Sequence, residues 1–246
     1  MQPCFVILLG MLLLSIVILP SLALVHMVHA SNSNLPEDEE SEREQSEQEQ
    51  SEGDEEDSEE QDFEEENSIQ ICCAWGSSLE DGRLTYYIDD DDTSEEQQQA
   101  VRNAVQEWDT KIKHLELKEE SSRESSDIKI DFEDDDEEEI AGQTITIANA
   151  YGFLVNAEIT IYTEVQKYEF DTTTIGQVAK HEMGHALGLG HANFDGNLMA
   201  EMVNYGTATV SECELNAVIE ANYWKLGDND EDDIGPDNPR YDSVTC

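Results

Sequence analysis

Basic side chains are scarce. The chain of 246 residues carries 12 lysines and arginines against 59 aspartates and glutamates, a formal charge of −47. A surface that negative repels nucleic acid and anionic membranes, and it attracts cations and basic peptides. It also suits concentrated salt, where screening removes the self-repulsion. No stretch looks like a phosphate-binding groove, and no internal repeat is found. Long apolar runs are equally rare, the exception being "FVILLGMLLLSIVILPSLALV" from Phe5 to Val25. It leads into "VHA", a small-residue cleavage signal after Ala30. No basic residue precedes this run, the first being Arg43. The pattern predicts a secretory signal peptide over residues 1–30. Left uncleaved, the run has the roughly twenty residues needed for a membrane anchor. Either way the remainder faces the outside, and a membrane is a partner only if the run is retained.

From Ser31 to Asn67 the chain is almost devoid of apolar residues, with Leu35 and Phe63 the exceptions; it holds 19 acidic residues and one Arg. Such a segment buries too little surface to offset its ordering entropy, and it reads as a self-repelling tether. A second acidic stretch runs from Gly227 to Cys246. Within it "DNDEDDIG" has the look of a calcium loop but lacks Gly at the sixth position and Glu at the twelfth. Calcium is thus left open but unsupported.

Residues 68–226 read as one compact unit. "RLTYYID" (83–89) is a strand by its aromatic and β-branched content. Thr93 and Glu96 have capping-box spacing, and Val101, Ala104, Val105, Trp108, Ile112 and Leu115 follow at helical intervals. "DIKIDF" (127–132) alternates, placing Ile128, Ile130 and Phe132 on one face. "QTITIANA" (143–150) and "AEITIYT" (157–163) are two more strands. A helix over about 173–187 has Ile175, Val178, Ala179 and Ala186 as its buried face. Ser211 and Glu214 make a second capping box for a final helix through Leu215, Val218, Ile219 and Tyr223.

"HEMGHALGLGH" (181–191) concentrates three of the six histidines of the chain. His181 and His185 are four apart on a helix, so both imidazoles project from one face and reach the same ion. Gly188 stands where the helix must stop and can turn left-handed there. That turn lets His191 swing back as a third ligand. Three neutral imidazoles leave the fourth tetrahedral position to water, the open arrangement of a catalytic zinc site. Glu182, one step round, is placed to hydrogen-bond that water. Chance produces the pattern at a rate on the order of one in a hundred thousand for such a chain, given ordinary residue frequencies. A surface helix with scattered histidines is thereby set aside.

HExxHxxGxxH followed by a Met-turn is the signature of the metzincin metallopeptidases, and within them the chain resembles the matrixins. "HALGLGH" is close to their usual wording, and Met199 in "GNLMAE" follows His191 at their spacing. "LTYYI", "AVRNAVQEWD", "SDIKIDF" and "AGQTITIANAYG" are similar, in order, to the family's first strand, first helix, second strand and edge-strand region. "VSECELNAVIEANYW" is similar to its last helix. The resemblance spans about 74–226. It implies an α+β fold: a twisted, mostly parallel mixed sheet with an antiparallel edge strand, an active-site helix, a Met-turn and a C-terminal helix. It implies a monomeric, secreted zinc endopeptidase acting on peptide or protein substrates. His181, His185 and His191 would hold Zn2+, Glu182 would be the general base, and Met199 the apolar floor beneath the metal. The edge strand, with Ile147 and Ala148, would bind substrate as an added antiparallel strand, and the wall of the pocket would lie in 201–206.

Departures from the family are specific. Ala192 follows the third histidine where matrixins usually have Ser. Asn149 and Glu158 align where the family's structural-zinc histidines stand, so one zinc is expected. The motif PRCGxPD of the cysteine-switch pro-segment is absent. His114 has no partner motif and reads as a helix-end residue. A catalytically silent, metal-stabilised binding module is the alternative function, against which the presence of Glu182 argues. Beyond Cys4 in the leader, Cys72, Cys73, Cys213 and Cys246 are an even number in a chain bound for an oxidising compartment. Sequence neighbours rarely bond each other. In matrixins the N-terminal segment lies against the last helix, which implies that one of Cys72 and Cys73 pairs with Cys213 and the other with Cys246.

Overall fold

The computed structural model describes residues 24–30, 66–91, 93–134, 140–165, 167–203, 208–227 and 235–246. The acidic segment 31–67, but for its last two residues, and most of the apolar run 5–25 lie outside these, as do 204–206 of the expected pocket wall and most of "DNDEDDIG". No described helix is long and apolar enough to cross a membrane.

In chain order the strands are β1 (Leu24–Ala30), β2 (Ser68–Ile71), β3 (Arg83–Ile88), β4 (Glu116–Glu119), β5 (Ile128–Glu133), β6 (Ile140–Ala148) and β7 (Leu154–Tyr162). Two short strands follow, β8 (Glu164–Val165) and β9 (Tyr168–Glu169), then β10 (Leu189–Ala192), β11 (Met202–Val203) and β12 (Ser243–Thr245). The helices are α1 (Glu95–Lys111), α2 (Thr172–Ala186), α3 (Glu212–Ala221) and the short α4 (Tyr223–Leu226). The main sheet has the order β11-β1-β6-β7-β5-β3-β4. β4, β3, β5 and β7 run parallel, and β6 is antiparallel to β7. This is the expected mixed α+β sheet.

Alternation explains which face of each strand is inside. Ile128 and Ile130 of β5, and Ala157, Ile159 and Ile161 of β7, are almost fully buried, whereas Phe132 is only partly so. α1 and α2 cover this face. Val101, Ala104, Val105 and Trp108 form the buried stripe of α1, and each large apolar side chain removed from water contributes roughly 1.5–3 kcal/mol. Trp108 also donates its Nε1–H to the carbonyl of Lys180, at 3.0 Å, which ties α1 to α2.

The helix starts differ in one detail. α1 is capped by Ser94, not Thr93: Ser94 Oγ accepts from Gln97 N–H, and Gln97 Oε1 accepts from Ser94 N–H. Thr93 and Ser94 both precede a Glu or Gln by three residues, so the pattern is ambiguous by one position. α3 begins at the expected Ser211–Glu214 capping box. Tyr223, expected on that helix, belongs to α4 after a break at Asn222. β6 starts three residues before the strand read from the sequence, and β7 likewise.

Two segments read as separate from the domain are docked on it. The C-terminal residues return: β12 pairs antiparallel with β2, which pairs in turn with β10. Cys246 N–H donates to Asn67 O at 2.7 Å, fixing the end of the chain. The expected disulfides are thereby overturned. Cys246 arrives beside Cys213 in the first turn of α3, with Cα atoms 5.3 Å apart, and bonds to it; Cys72 bonds to its neighbour Cys73. The Cys213–Cys246 separation lies in the usual range for a bridge, and among the described residues it leaves Cys72 and Cys73 only one another. β1, from the expected signal region, lies antiparallel to β6 and parallel to β11. β6 is therefore not outermost in this sheet.

Candidate active site

α2 carries the first two histidines. Asp171 caps it, accepting from Thr174 N–H at 2.8 Å. Its C-terminal end is buried, and the orphan carbonyls that every helix leaves there need donors. Trp75 Nε1–H serves Ala186 O at 2.8 Å, and Asn222 Nδ2–H serves Leu187 O at 3.0 Å. Asn222 in turn accepts from Trp75 N–H, so helix end, β2 region and α3 end share one buried network. Gly188 follows at φ +106°, where its lack of a Cβ lets the chain pass the Cys73 carbonyl. The left-handed turn read from the sequence is present, and β10 then carries His191.

His181, His185 and His191 converge, their ligand atoms all within 4.8 Å of one another. The first two are fully buried. His181 Nδ1 lies 2.6 Å from Leu198 O and His185 Nδ1 lies 2.9 Å from Leu189 O. A carbonyl can only accept, so each Nδ1 carries the proton and each Nε2 presents a lone pair. These two Nε2 atoms face one another at 2.9 Å. Two lone pairs so placed repel unless a cation lies between them. Two ligands of a tetrahedral zinc sit about 3.3 Å apart, from Zn–N distances near 2.0 Å. The donor set and spacing fit zinc, with His191 as the third ligand.

The turn after β10 is sewn to the same site. Ala192 N–H donates to Met199 O at 2.7 Å, next to the Leu198 carbonyl that orients His181. Met199 is fully buried, and a Cβ on Gly184 would collide with its sulfur. Met199 thus lies directly under the helix turn between the two ligands. Ala192, where the family usually has Ser, uses its backbone alone for this tie.

Glu182 has no exposed surface. One oxygen, Oε2, accepts from Thr144 Oγ1–H at 2.6 Å. The other, Oε1, is buried with no hydrogen-bond partner among the described residues. Burial pushes the carboxyl up to about 8, and the bond from Thr144 opposes that rise. Gly142 lies two residues before Thr144 on the same face of β6. A Cβ there would come within 2.8 Å of Glu182 Oε1. Neither Gly142 nor Thr144 stands out in the sequence, since a Gly and a Thr inside a strand carry no chemical signature of their own. Ile147 and Ala148 lie beyond the stretch of β6 that pairs with β1, whose partners run from Ile140 to Thr146, and Ile147 is 37% exposed. The paired lane passes instead beside Gly142, opposite Val28.

The matrixin family model matches residues 74–220. The chain belongs to the matrixins. No curated protein matches it. The match covers α1, the main sheet from β3 to β7, the ligand helix and most of α3. The matrixin zinc site is therefore the frame for His181, His185 and His191. Asn149, aligned where the family places a structural-zinc histidine, instead holds its own turn, accepting from Tyr151 N–H and Phe153 N–H. Asp89, Asp90 and Asp91 also lie close together, on the surface after β3.

Proposed function

We propose that this matrixin is a secreted zinc endopeptidase in which Glu182 is the general base. The observation that carries the reading is the pairing of a three-imidazole cluster with a buried carboxylate one residue from its first ligand. When bound, zinc supplies Lewis-acid polarisation of the scissile carbonyl and acidifies water at the site. Glu182 Oε1, the oxygen that Thr144 leaves untouched, receives the proton from the attacking water and delivers it to the departing amine. Leu198 O and Leu189 O hold the two helix imidazoles in the tautomer that turns Nε2 inward.

Substrate binds as an extended strand against β6. The pairing of β1 antiparallel to β6 and parallel to β11 supports this, because it occupies such a lane by main-chain pairing. Removal of the leader after Ala30 frees the lane for a peptide. Main-chain pairing reads few side chains, and the strongly acidic surface favours basic substrates.

The test compares two variants. Glu182→Ala abolishes peptide hydrolysis and keeps its zinc, since the ligand set is intact; His185→Ala loses both. Atomic absorption and a peptide-library assay with and without chelator read the two quantities. Full turnover by Glu182→Ala would sink the mechanism, and a zinc-loaded wild type that cleaves nothing would establish the silent binding module.

A further inference from the structure

Glu182 needs more than a place on the helix. A carboxylate on two rotatable carbons has several rotamers, and a general base must keep one oxygen within hydrogen-bond reach of the proton it takes. β6 supplies two features for this at alternate positions of one face. Gly142 leaves room: a Cβ there would stand 2.6 Å from Val178 Cγ1 and 2.8 Å from Glu182 Oε1. Thr144, itself fully buried, directs its hydroxyl at Glu182 and reaches Oε2 at 2.6 Å and the main-chain oxygen at 3.1 Å. A hydroxyl has one proton, and the shorter contact is the stronger claim on it.

We propose that Thr144 is a positioning residue that holds Glu182 Oε2 and so directs Oε1 towards the reacting water. The β-branched side chain suits the task. It is stiff at χ1, and the pairing of β6 with β7 fixes the backbone that carries it. Thr144 touches neither metal nor substrate; it acts through Glu182. The inference rests on the general-base reading above.

The contrasting view is that the hydroxyl serves only the helix, satisfying the Glu182 carbonyl. The two views separate on Thr144→Val, which keeps shape and removes the donor, and Thr144→Ser, which keeps the donor. Steady-state kinetics on a peptide substrate, with zinc content measured on each protein, should show kcat reduced 10- to 100-fold in Thr144→Val. That is the range for losing a group that orients a first ligand or base. KM and zinc content stay unchanged, and Thr144→Ser recovers most of the rate. A kcat within twofold of wild type for Thr144→Val, or a serine variant as slow as the valine one, overturns the proposal.

A double-mutant cycle of Thr144→Val with Glu182→Ala in urea unfolding reads the bond without reference to turnover. Non-additivity in the cycle is expected; strict additivity means that the hook does not exist and overturns the proposal too. Undiminished hydrolysis by Glu182→Ala would instead remove the general-base reading on which the inference stands, and a coupled cycle alongside it would locate the fault there.

Discussion

Glu182 is a carboxyl group with no exposed surface, and its surroundings set what it does to stability. In the metal-free protein its pKa stands at about 8 against an ordinary 4.5. Between those values the folded state keeps a proton that the unfolded chain has released. Stability therefore falls as pH rises through that window, because the native state binds more protons. Glu182→Gln removes the penalty. In metal-free protein the variant should be more stable than wild type at pH 8 by a few kcal/mol, on the scale of about 1.4 kcal/mol per pKa unit. At pH 5 the gain should be small. Urea unfolding at both pH values checks this; an equal gain at both would show that the carboxyl ionises normally. The convergence of His181, His185 and His191 is legible in the sequence because their spacing on a helix and turn brings them together. Thr144 is not, since only the register of β6 against α2 brings it to the carboxylate 38 positions away.

At the scale of elements, the end of α2 decides where the third ligand goes. Gly188 is at φ +106°, and a Cβ would strike the Cys73 carbonyl and lie 3.4 Å from Ala221 Cβ. Gly152, at φ +89°, has nothing within 4 Å of such a Cβ. Both positions charge alanine about 1–2 kcal/mol for the left-handed backbone, but only Gly188 adds crowding. Gly188→Ala is expected to be the more destabilising by about 1 kcal/mol or more, and to weaken zinc binding by turning β10. Gly152→Ala should leave zinc affinity unchanged. Thermal melts and zinc titrations on the pair decide it; equal losses would show that crowding at Cys73 is relieved at no cost. Long periodic elements such as α1, α2 and β5 were readable because burial on one face imposes the period. β2, β4 and β12 are four residues or fewer, too short for any period, and they are strands only because a neighbour is there to pair with.

For the whole molecule, the disulfide pairing is where the structure departs from the expectation. A bond from Cys246 to Cys72 or Cys73 would tie the acidic tail back to the start of the domain; Ser243 to Thr245 do pair there, with β2, but they carry Cys246 to Cys213 instead. The bridge closes a loop with a sequence separation of 33, for which chain entropy gives about 3–4 kcal/mol. Non-reducing peptide mapping is expected to recover a Cys213–Cys246 peptide, and Cys246→Ser to lose stability of that order. A Cys72–Cys213 or Cys73–Cys213 peptide would contradict it. The acidic arm ahead of the domain poses the remaining question at this scale. With 19 acidic residues and one Arg it holds 1 − 19 = −18 of the total −47. If it is a solvated spacer, as its composition implies, it adds nothing to the core, and deleting residues 31–67 leaves melting temperature and turnover of an uncharged peptide nearly unchanged. Its charge still acts at a distance through water. At low salt the deletion should raise KM for a basic peptide, and at 1 M salt, where the Debye length is about 3 Å, the difference should vanish. Turnover that rises several-fold on the uncharged peptide would instead mark the arm as an inhibitory pro-segment, because relief of a blocked cleft does not depend on the charge of the substrate.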